Sequence, residues 1–507
     1  MTEIDVLAVG AGPTGLALAV ELQRLGLSYR LVEKNPEPAR YSQALVLQAR
    51  TLEQFERYGI AETAIARGRA LHGADLISDH RTIVHFPFER IPGRYPFVLF
   101  LPQSETERLL IEHLEALGGR VERSLALRAF TDGAAGVEAQ LDGAGGTQTV
   151  RARWLIGCDG AHSAVRRLAH VPFVGDTVGL SFFLADLELC GPDVPEDDLR
   201  VYLRHGDVVF IARLDERVHR VIVALHEEQG HELREPTLED FATAIARNVG
   251  PGITPVASHW MTPFRINQRK ATRYRAGSAF LAGDASHIHS PVAGQGMNTG
   301  IQDVANLAWK LAAVRAGAPD ALLDSYDAER GAVGEALLAT TSRGLAAATS
   351  ANPLVERIRD AVASFASKFD PIVERLVGFV SETAIAYRGS PIVRDAGGAG
   401  KLHAGDRAPD SDLPEGTRLL APLRQARALA LVVDAAAARD VLADTTVVAL
   451  SAAQLDAHAR EAYGAGMLYV VRPDGYVGYR GCADDRDALA SYAALVSPSF
   501  DKLRMTS

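Results

Sequence analysis

The sequence predicts an α/β fold: a βαβ unit at the start of the chain, an antiparallel sheet in its middle, and a smaller α/β unit towards the end of the chain. Three observations predict it. The chain opens on "IDVLAVGAGPTGLALAVELQRLGLSYRLVEK", which runs apolar strand, glycine turn, Ala/Leu-rich helix, second strand. Its middle, "DLRVYLRHGDVVFIARLDERVHRVIVALH", alternates apolar and polar residues between short turns, the period of half-buried antiparallel strands. After the glycine-rich "RDAGGAGKLHAGDRAPDSDLPEG" come the short apolar runs "ALALVVD" and "TTVVAL" and then "MLYVVRPDGYVGYRG", a hairpin turning at Asp474-Gly475.

A chain of 507 residues that is 47% hydrophobic can bury two large domains or three ordinary ones. The formal net charge of -10, with both signs mixed along the chain and no basic block, argues against a nucleic-acid partner. Cys158, Cys190 and Cys482 lie far apart with no CxxC or zinc-ligand spacing. Neither a disulfide framework nor a metal site is expected, and a reducing cytoplasm fits. No charged leader and no run of 18 apolar residues is present, so neither secretion nor a membrane span is expected.

In the first unit, Gly10, Gly12 and Gly15 form GxGxxG between the strand Ile4 to Val9 and the helix Leu16 to Leu25, and the next strand ends in Glu33. Such glycines give a tight turn, close backbone approach to a pyrophosphate and close packing of helix on strand, and the acid can accept ribose hydroxyls. NAD and FAD use the same turn, so this Rossmann-type unit does not choose between them. A second junction, "FLAGDASHIHSPVAGQGMNTG", delivers Asp284 from the carboxyl end of an apolar strand and then opens a helix at Gly294, Gly296, Met297 and Asn298. Free amides and the positive end of the helix dipole there suit an anion. His287 and His289 lack a third ligand of metal-site spacing and read as hydrogen-bonding residues of the turn. In "VRARWLIGCDGAHSAVRR", Asp159 and Arg166 read either as ligand-binding residues or as a pair capping a helix that begins near Ser163.

Together these stretches resemble the three motifs of the flavoprotein aromatic hydroxylases, the single-component FAD monooxygenases of the para-hydroxybenzoate hydroxylase type. The matches are Gly10, Gly12, Gly15 and Glu33; Asp159, Gly160, Ser163, Val165 and Arg166 as DGxxSxVR; and Gly283 and Asp284 with Gly294, Gly296 and Asn298. The resemblance covers roughly residues 1 to 385. It implies non-covalent FAD and a transient NADPH or NADH donor. It places Gln103 of "LPQSETERLL" and the loop carrying Arg40, Ser42 and Gln43 beside the flavin, the amides around Met297 and Asn298 at the N1 and C2 edge of the ring, and Pro291 against the ring where nicotinamide approaches. The C-terminal unit resembles the thioredoxin-like domain appended to larger members, without its thiol pair.

The organisation that the resemblance implies is an FAD-binding domain over 1-75, 100-170 and 270-345, interleaved with a substrate-binding sheet domain over 76-100 and 171-270, then a helical connection over 346-392 and a thioredoxin-like domain over 400-507. In "PLVERIRDAVASFASKFDPIVERLVGFV" apolar residues recur at helical spacing, which predicts a packing helix. The implied reaction is reduction of FAD by NAD(P)H, addition of dioxygen to give a flavin C4a-hydroperoxide, and hydroxylation of an aromatic, phenolic and polycyclic substrate of the polyketide or antibiotic-tailoring kind. Arg213, His226 and Arg265 on the middle sheet are candidates to face the substrate. A Baeyer-Villiger oxygenase on the same fold, a hydroxylase of small phenolic acids, and a flavin-binding sensor or interaction module stay open as rivals, and a homodimer is the expected assembly if the chain self-associates.

Overall fold

The computed structural model describes residues 3-38, 44-197, 199-225, 234-290, 294-425, 427-434 and 446-496. Its first eight-stranded sheet has a parallel centre in the order Ala279–Leu281, Gly146–Gly157, Glu3–Val9, Tyr29–Glu33, Val121–Arg123. The alternating stretch Leu125–Gly133 and Gly136–Gly143 folds back antiparallel on the long strand Gly146–Gly157. The central strands carry Val6, Leu7, Leu31, Val32, Leu155 and Ile156, all buried, as strands covered by helices on both faces must. Helix Pro13–Arg24 packs beside the long helix Gly296–Arg315. Their approach leaves no room for a methyl at Gly300, where a Cβ would lie 2.3 Å from Thr14 Oγ1.

A second eight-stranded sheet is assembled from Gly73–Ser78, Arg81–Pro87, Phe173–Cys190, Leu199–Arg204, Asp207–Arg213, Val218–Leu225, Thr254–Ala271 and His287–Ile288. It is antiparallel except where Gly73–Ser78 runs parallel to Leu199–Arg204. Alternation sorts its side chains. Phe183, Val209, Ile211, Val221 and Val223 face helix Leu238–Asn248 and its Phe241 and Ile245. Leu180, Phe182, Ala224 and Ile266 gather on the other face with Leu345, while Phe210 and Ala212 pack against the core of the nucleotide-binding sheet. The second face therefore looks towards the first domain.

Helix Ala332–Ala348 leads into the helical connection, which is two helices, Pro353–Ala366 and Asp370–Val380. The expected packing helix is two helices, and only the second, Asp370–Val380, packs an apolar side, at Val373 and Val377. The stretch breaks into two at Ser367 to Phe369, and Pro353–Ala366 has no buried residue at all, because its polar side, not its apolar side, meets the protein.

The C-terminal unit is a five-stranded sheet in which Leu429–Val433 pairs parallel with Thr446–Leu450 and antiparallel with Met467–Val471, which forms the hairpin with Val477–Cys482. Gly475, at φ +82°, makes the turn. The hairpin tip inserts into the first domain. Glu329, buried, accepts from Lys310 Nζ at 2.8 Å, Asn306 Nδ2 at 2.6 Å, Ser390 Oγ at 2.6 Å and both terminal nitrogens of Arg472 at 2.6 and 3.0 Å. Asp474 accepts from Arg472 and from Trp309 Nε1, and its carbonyl takes Arg50 Nη2 at 2.6 Å. Burial alone would raise the Glu329 carboxyl, but Arg472 and Lys310 hold it well below the usual range. Burial pushes the Lys310 ammonium down to about 8.

Candidate active site

The three sequence motifs meet at one edge. GxGxxG follows Glu3–Val9, Glu33 ends Tyr29–Glu33, Asp159 follows Gly146–Gly157, and Gly283-Asp284 follows Ala279–Leu281. These are the carboxyl ends of parallel strands that neighbour one another, the edge where open α/β sheets bind ligands.

The three glycines do different work. Gly10 takes φ +100°, and a Cβ there would lie 2.4 Å from the Cys158 carbonyl oxygen, so the first turn is wedged against the neighbouring strand. At Gly15 a Cβ would lie 1.8 Å from the Gly10 oxygen, which fixes how closely helix meets strand. Around Gly12 the space is open to 4 Å, and Gly12 is an N-cap without a side-chain bond to the helix amides. A backbone open on one side, at an uncapped helix N-terminus, fits a pyrophosphate. Glu33 closes the loop by accepting the Ala11 and Asn35 amides, both at 2.9 Å.

Asp284 makes no side-chain hydrogen bond among the described residues. It is exposed between the buried Gly283 and Ala285, yet burial raises its carboxyl above the usual range, with the Asp303 charge adding to it. A carboxylate that keeps accessible surface while deeply enclosed is facing a cleft. This free acceptor and the open Gly12 side are what FAD's ribityl hydroxyls and pyrophosphate require.

Behind Asp284, the turn is held by a network that sequence reasoning missed. Asp303 Oδ2 accepts the Gly283 amide at 2.9 Å and lies 2.8 Å from His287 Nε2, while Oδ1 accepts Arg330 Nε at 2.6 Å. Arg330 continues to the Thr299 carbonyl at 3.0 Å and to the Tyr387 hydroxyl at 2.9 Å. All of these charged groups are buried. Burial would raise Asp303, but Arg330 and His287 outweigh it and keep the carboxyl low. His287 thus orients the turn, and no metal-binding group of His, Cys, Asp or Glu occurs among the described residues. Burial, with the neighbouring His287, pushes His289 down to about 4; its Nδ1 lies 2.9 Å from the Ser290 carbonyl. The only sequence signal for Asp303 is charge within the largely apolar helical run "IQDVANLAWKL", and the polar run "DSYDAERGAV" gives none for Arg330.

At the start of the long helix, Asn298 Oδ1 accepts the Gln48 amide at 2.9 Å, and its Nδ2 donates to the Val46 and Gly294 carbonyls at 2.8 Å. Gly294, at φ +63°, comes so near Val46 that a Cβ would sit 2.9 Å from it. Asn298 therefore clips the segment 46-48 to the helix entry, and Met297 is partly buried beside it. Gln103 begins helix Gln103–Ala116, with its Nε2 2.9 Å from Glu107 Oε1 and its amide on the Ala44 carbonyl. Glu107, buried and raised by that burial, was not singled out from the sequence.

Asp159 and Arg166 part company. Asp159 accepts Ser163 Oγ and the Ala164 and Val165 amides at 2.6 and 3.2 Å, so it caps the short helix Ala164–Leu168. Arg166 forms no ion pair with it. Its guanidinium lies 3.7 Å over the Phe173 ring and donates to the Ala285 carbonyl at 2.8 Å and to Ala161 at 2.6 Å. It joins the DGxxSxVR turn to the Gly283-Asp284 turn. On the middle sheet, Arg213 donates to the carbonyls of Asp215, Glu196 and Glu216, the contacts of a residue that holds a turn, and Arg265 is exposed on Thr254–Ala271. Arg40, Ser42, Gln43, His226 and Pro291 lie outside the described residues.

Residues 3–341 match the family "FAD binding domain", and 402–497 match "Aromatic-ring hydroxylase, C-terminal". The chain is 35% identical over 409 residues to a 6-methylpretetramide 4-monooxygenase of Streptomyces rimosus, covering 79% of this chain and 73% of that relative. It is 33% identical over 437 residues to a pentachlorophenol 4-monooxygenase of Sphingobium chlorophenolicum, covering 85% and 80%. Among solved structures, an anhydrotetracycline hydroxylase from Streptomyces rimosus superposes with a TM-score of 0.81 at 29% identity, over 98% of this chain and 100% of that one. The first family spans more than half of the chain, across the very turns that build the cleft, and so the chain belongs to the FAD-dependent aromatic-ring hydroxylases and is an FAD-dependent monooxygenase.

Proposed function

We propose that this monooxygenase hydroxylates a polycyclic phenolic compound, with NAD(P)H as electron donor and dioxygen as the source of the inserted oxygen. The observation that carries the reading is the face of the middle sheet turned towards the nucleotide-binding domain. Phe182 and Phe264 stack there at 5.3 Å beside Leu180 and Ile266, and Ile222, Val208 and Phe264 are only partly buried. The apolar and aromatic surface that Val208, Ile222 and Phe264 keep open suits fused rings. The 6-methylpretetramide and anhydrotetracycline relatives support a multi-ring substrate, and the pentachlorophenol relative supports the single-ring rival.

Bound FAD supplies the redox and oxygen chemistry. The protein's share is to hold it and to keep water out. Gly12 and the amides of Pro13–Arg24 would take the pyrophosphate, Asp284 the ribityl hydroxyls, and the first turn of Gly296–Arg315 the ring edge. Asp303, His287 and Arg330 keep the Asp284 turn in place, and Arg166 keeps it joined to the Asp159 turn. Pro291 and His226 would act beside the ring and the substrate, and Arg213, whose donors hold the carbonyls of Asp215, Glu196 and Glu216, would have to leave that turn to do so. We also read the C-terminal sheet as thioredoxin-like, on its parallel pair flanked by an antiparallel hairpin.

The test is NAD(P)H consumption by FAD-loaded protein across a panel of polycyclic phenols and small phenolic acids under heavy-oxygen gas. A ring hydroxyl carrying the label on a polycyclic phenol is expected. Labelled oxygen inserted into an ester overturns hydroxylation in favour of the Baeyer-Villiger reading, and turnover confined to single-ring acids overturns the substrate class.

A further inference from the structure

A cavity of about 440 Å³ opens between helix Ala332–Ala348 and the segment 378-390, and no residue of the Gly12, Asp159 or Asp284 turns lines it. Its walls are apolar, with Val333, Ala336 and Leu337 on the helix and Phe379 and Ile385 opposite. Its floor is polar. Gln295, Thr299 and Gln302 fall on one side of the long helix, a turn apart, and the first two line the cavity together with Glu382. Thr299 Oγ1, at 2.9 Å, and Gln302 Nε2 donate to Glu382, which is 2% exposed and forms no ion pair among the described residues. Gln295, equally buried, gives its Nε2 to the Phe379 carbonyl at 2.7 Å, and its Oε1 is left without a partner.

The cations nearby are committed elsewhere. Arg330 holds Asp303, the Thr299 carbonyl and the Tyr387 hydroxyl, while Lys310 and Arg472 hold Glu329. An enclosed carboxyl with no counter-ion and an orphan acceptor in the same cavity lack the same thing, a charged donor. We infer that this cavity binds the ammonium group of a small amphipathic amine, with Glu382 and Gln295 Oε1 accepting its N–H groups and Val333, Leu337, Phe379 and Ile385 covering its hydrocarbon body. The volume is within the range of small-molecule sites. A neutral alcohol would leave Glu382 without a counter-ion, and a metal cation would leave the apolar walls unfilled. Burial pushes the Glu382 carboxyl up to about 8, against the Thr299 hydrogen bond and the Arg330 charge, with Asp303 adding to the rise. Below that pH the ammonium displaces a proton: the Glu382 O–H bond breaks, the proton leaves to solvent, and the carboxylate pairs with the cation. Affinity therefore rises between about pH 6 and 8 and then levels off.

Isothermal titration of the FAD-loaded full chain with cyclohexylammonium chloride, in buffers of different ionisation heat, tests the inference. One amine per chain is expected, with close to one proton released at about pH 7 and almost none at about pH 9. Glu382→Gln should bind about ten- to hundredfold more weakly, the loss of one charge-assisted contact, and should release no proton. Ala336→Trp, at an exposed position on the cavity wall, should also weaken binding by about tenfold or more while leaving Glu382 in place. Should circular dichroism show that Glu382→Gln does not fold, Ala336→Trp and the released proton decide the outcome. Absence of binding overturns the inference, as does binding that Ala336→Trp leaves intact, which puts the amine in another site. Cyclohexanol binding as tightly as the amine reduces the cavity to an apolar hole and overturns it. Potassium chloride displacing the amine one for one assigns the floor to a metal cation and overturns it too.

Discussion

Glu329 and Arg330 are neighbours in the chain and complete two different buried charge clusters. Arg330 serves Asp303, whose oxygens also engage His287 and the Gly283 amide. Glu329 serves Lys310 on the long helix and Arg472 at the tip of the C-terminal hairpin. The first cluster fixes backbone: one carboxylate gathers donors from the turn that precedes Asp284. The second joins surfaces: Glu329 and Asp474 balance Lys310 and Arg472, and no backbone amide of the nucleotide site takes part. Buried charge shapes a loop in one place and specifies a docking partner in the other. Both clusters hang on the same helix, Gly296–Arg315, whose first turn faces the cleft.

Glu329→Gln should break the docking cluster with the largest effect, since it leaves Lys310 and Arg472 facing Asp474 alone. Removing one member of a buried pair costs about 3-5 kcal/mol, and thermal unfolding followed by limited proteolysis should show the C-terminal unit released first. Asp303→Asn should cost a comparable amount, about 3-5 kcal/mol, since it leaves Arg330 buried without a carboxylate, but it should lose FAD on gel filtration more readily than Glu329→Gln. Equal FAD loss by the two variants would erase the distinction between the clusters. Asp284→Ala removes a side chain with no protein partner. Its apo melting temperature should match wild type, while FAD affinity falls by about 1.5-3 kcal/mol, measured by fluorescence titration.

The smallest effect is expected at Glu382 and depends on pH. This buried residue accepts Thr299 Oγ1 at 2.9 Å and also Gln302, and burial pushes its carboxyl up to about 8. A carboxyl raised in the folded state contributes stability that is fully present below its unfolded pKa and is lost as pH rises through about 8. Glu382→Gln should therefore flatten the decline, gaining about 1-2 kcal/mol over wild type at pH 9 relative to pH 5. Parallel denaturation curves at both pH values would rule this out.

What was legible in the sequence is what local chemistry dictates. Gly10, Gly12 and Gly15 and the Asp474-Gly475 hairpin could be read because turns impose their own residues, and the middle sheet because alternation is short-ranged. Asp303 and Arg330 could not be read as a pair, because only the packing of two helices brings them together. Arg166 illustrates the same limit: its motif was plain, but its partners, the Ala161 and Ala285 carbonyls, belong to two separate turns. The stripe of Pro353–Ala366 had a clear period, yet a period says that a face is apolar and not which way it points.

The interleaving of the nucleotide-binding sheet also has a consequence for biosynthesis. Ala279–Leu281 pairs with Gly146–Gly157, which pairs with Glu3–Val9, so a ribosome must deliver the second domain before the wall carrying Asp284 exists. The docking cluster waits longer still, for Arg472 and Asp474. At synthesis rates of about 5-20 residues per second, the interval between Leu281 and that hairpin lasts roughly 10-40 s. During it, the early βαβ unit holds an open strand edge, and Glu329 has Lys310 but not yet its second cationic partner Arg472. Such widely separated contacts slow folding, and FAD can meet a complete cleft only after most of the chain has emerged.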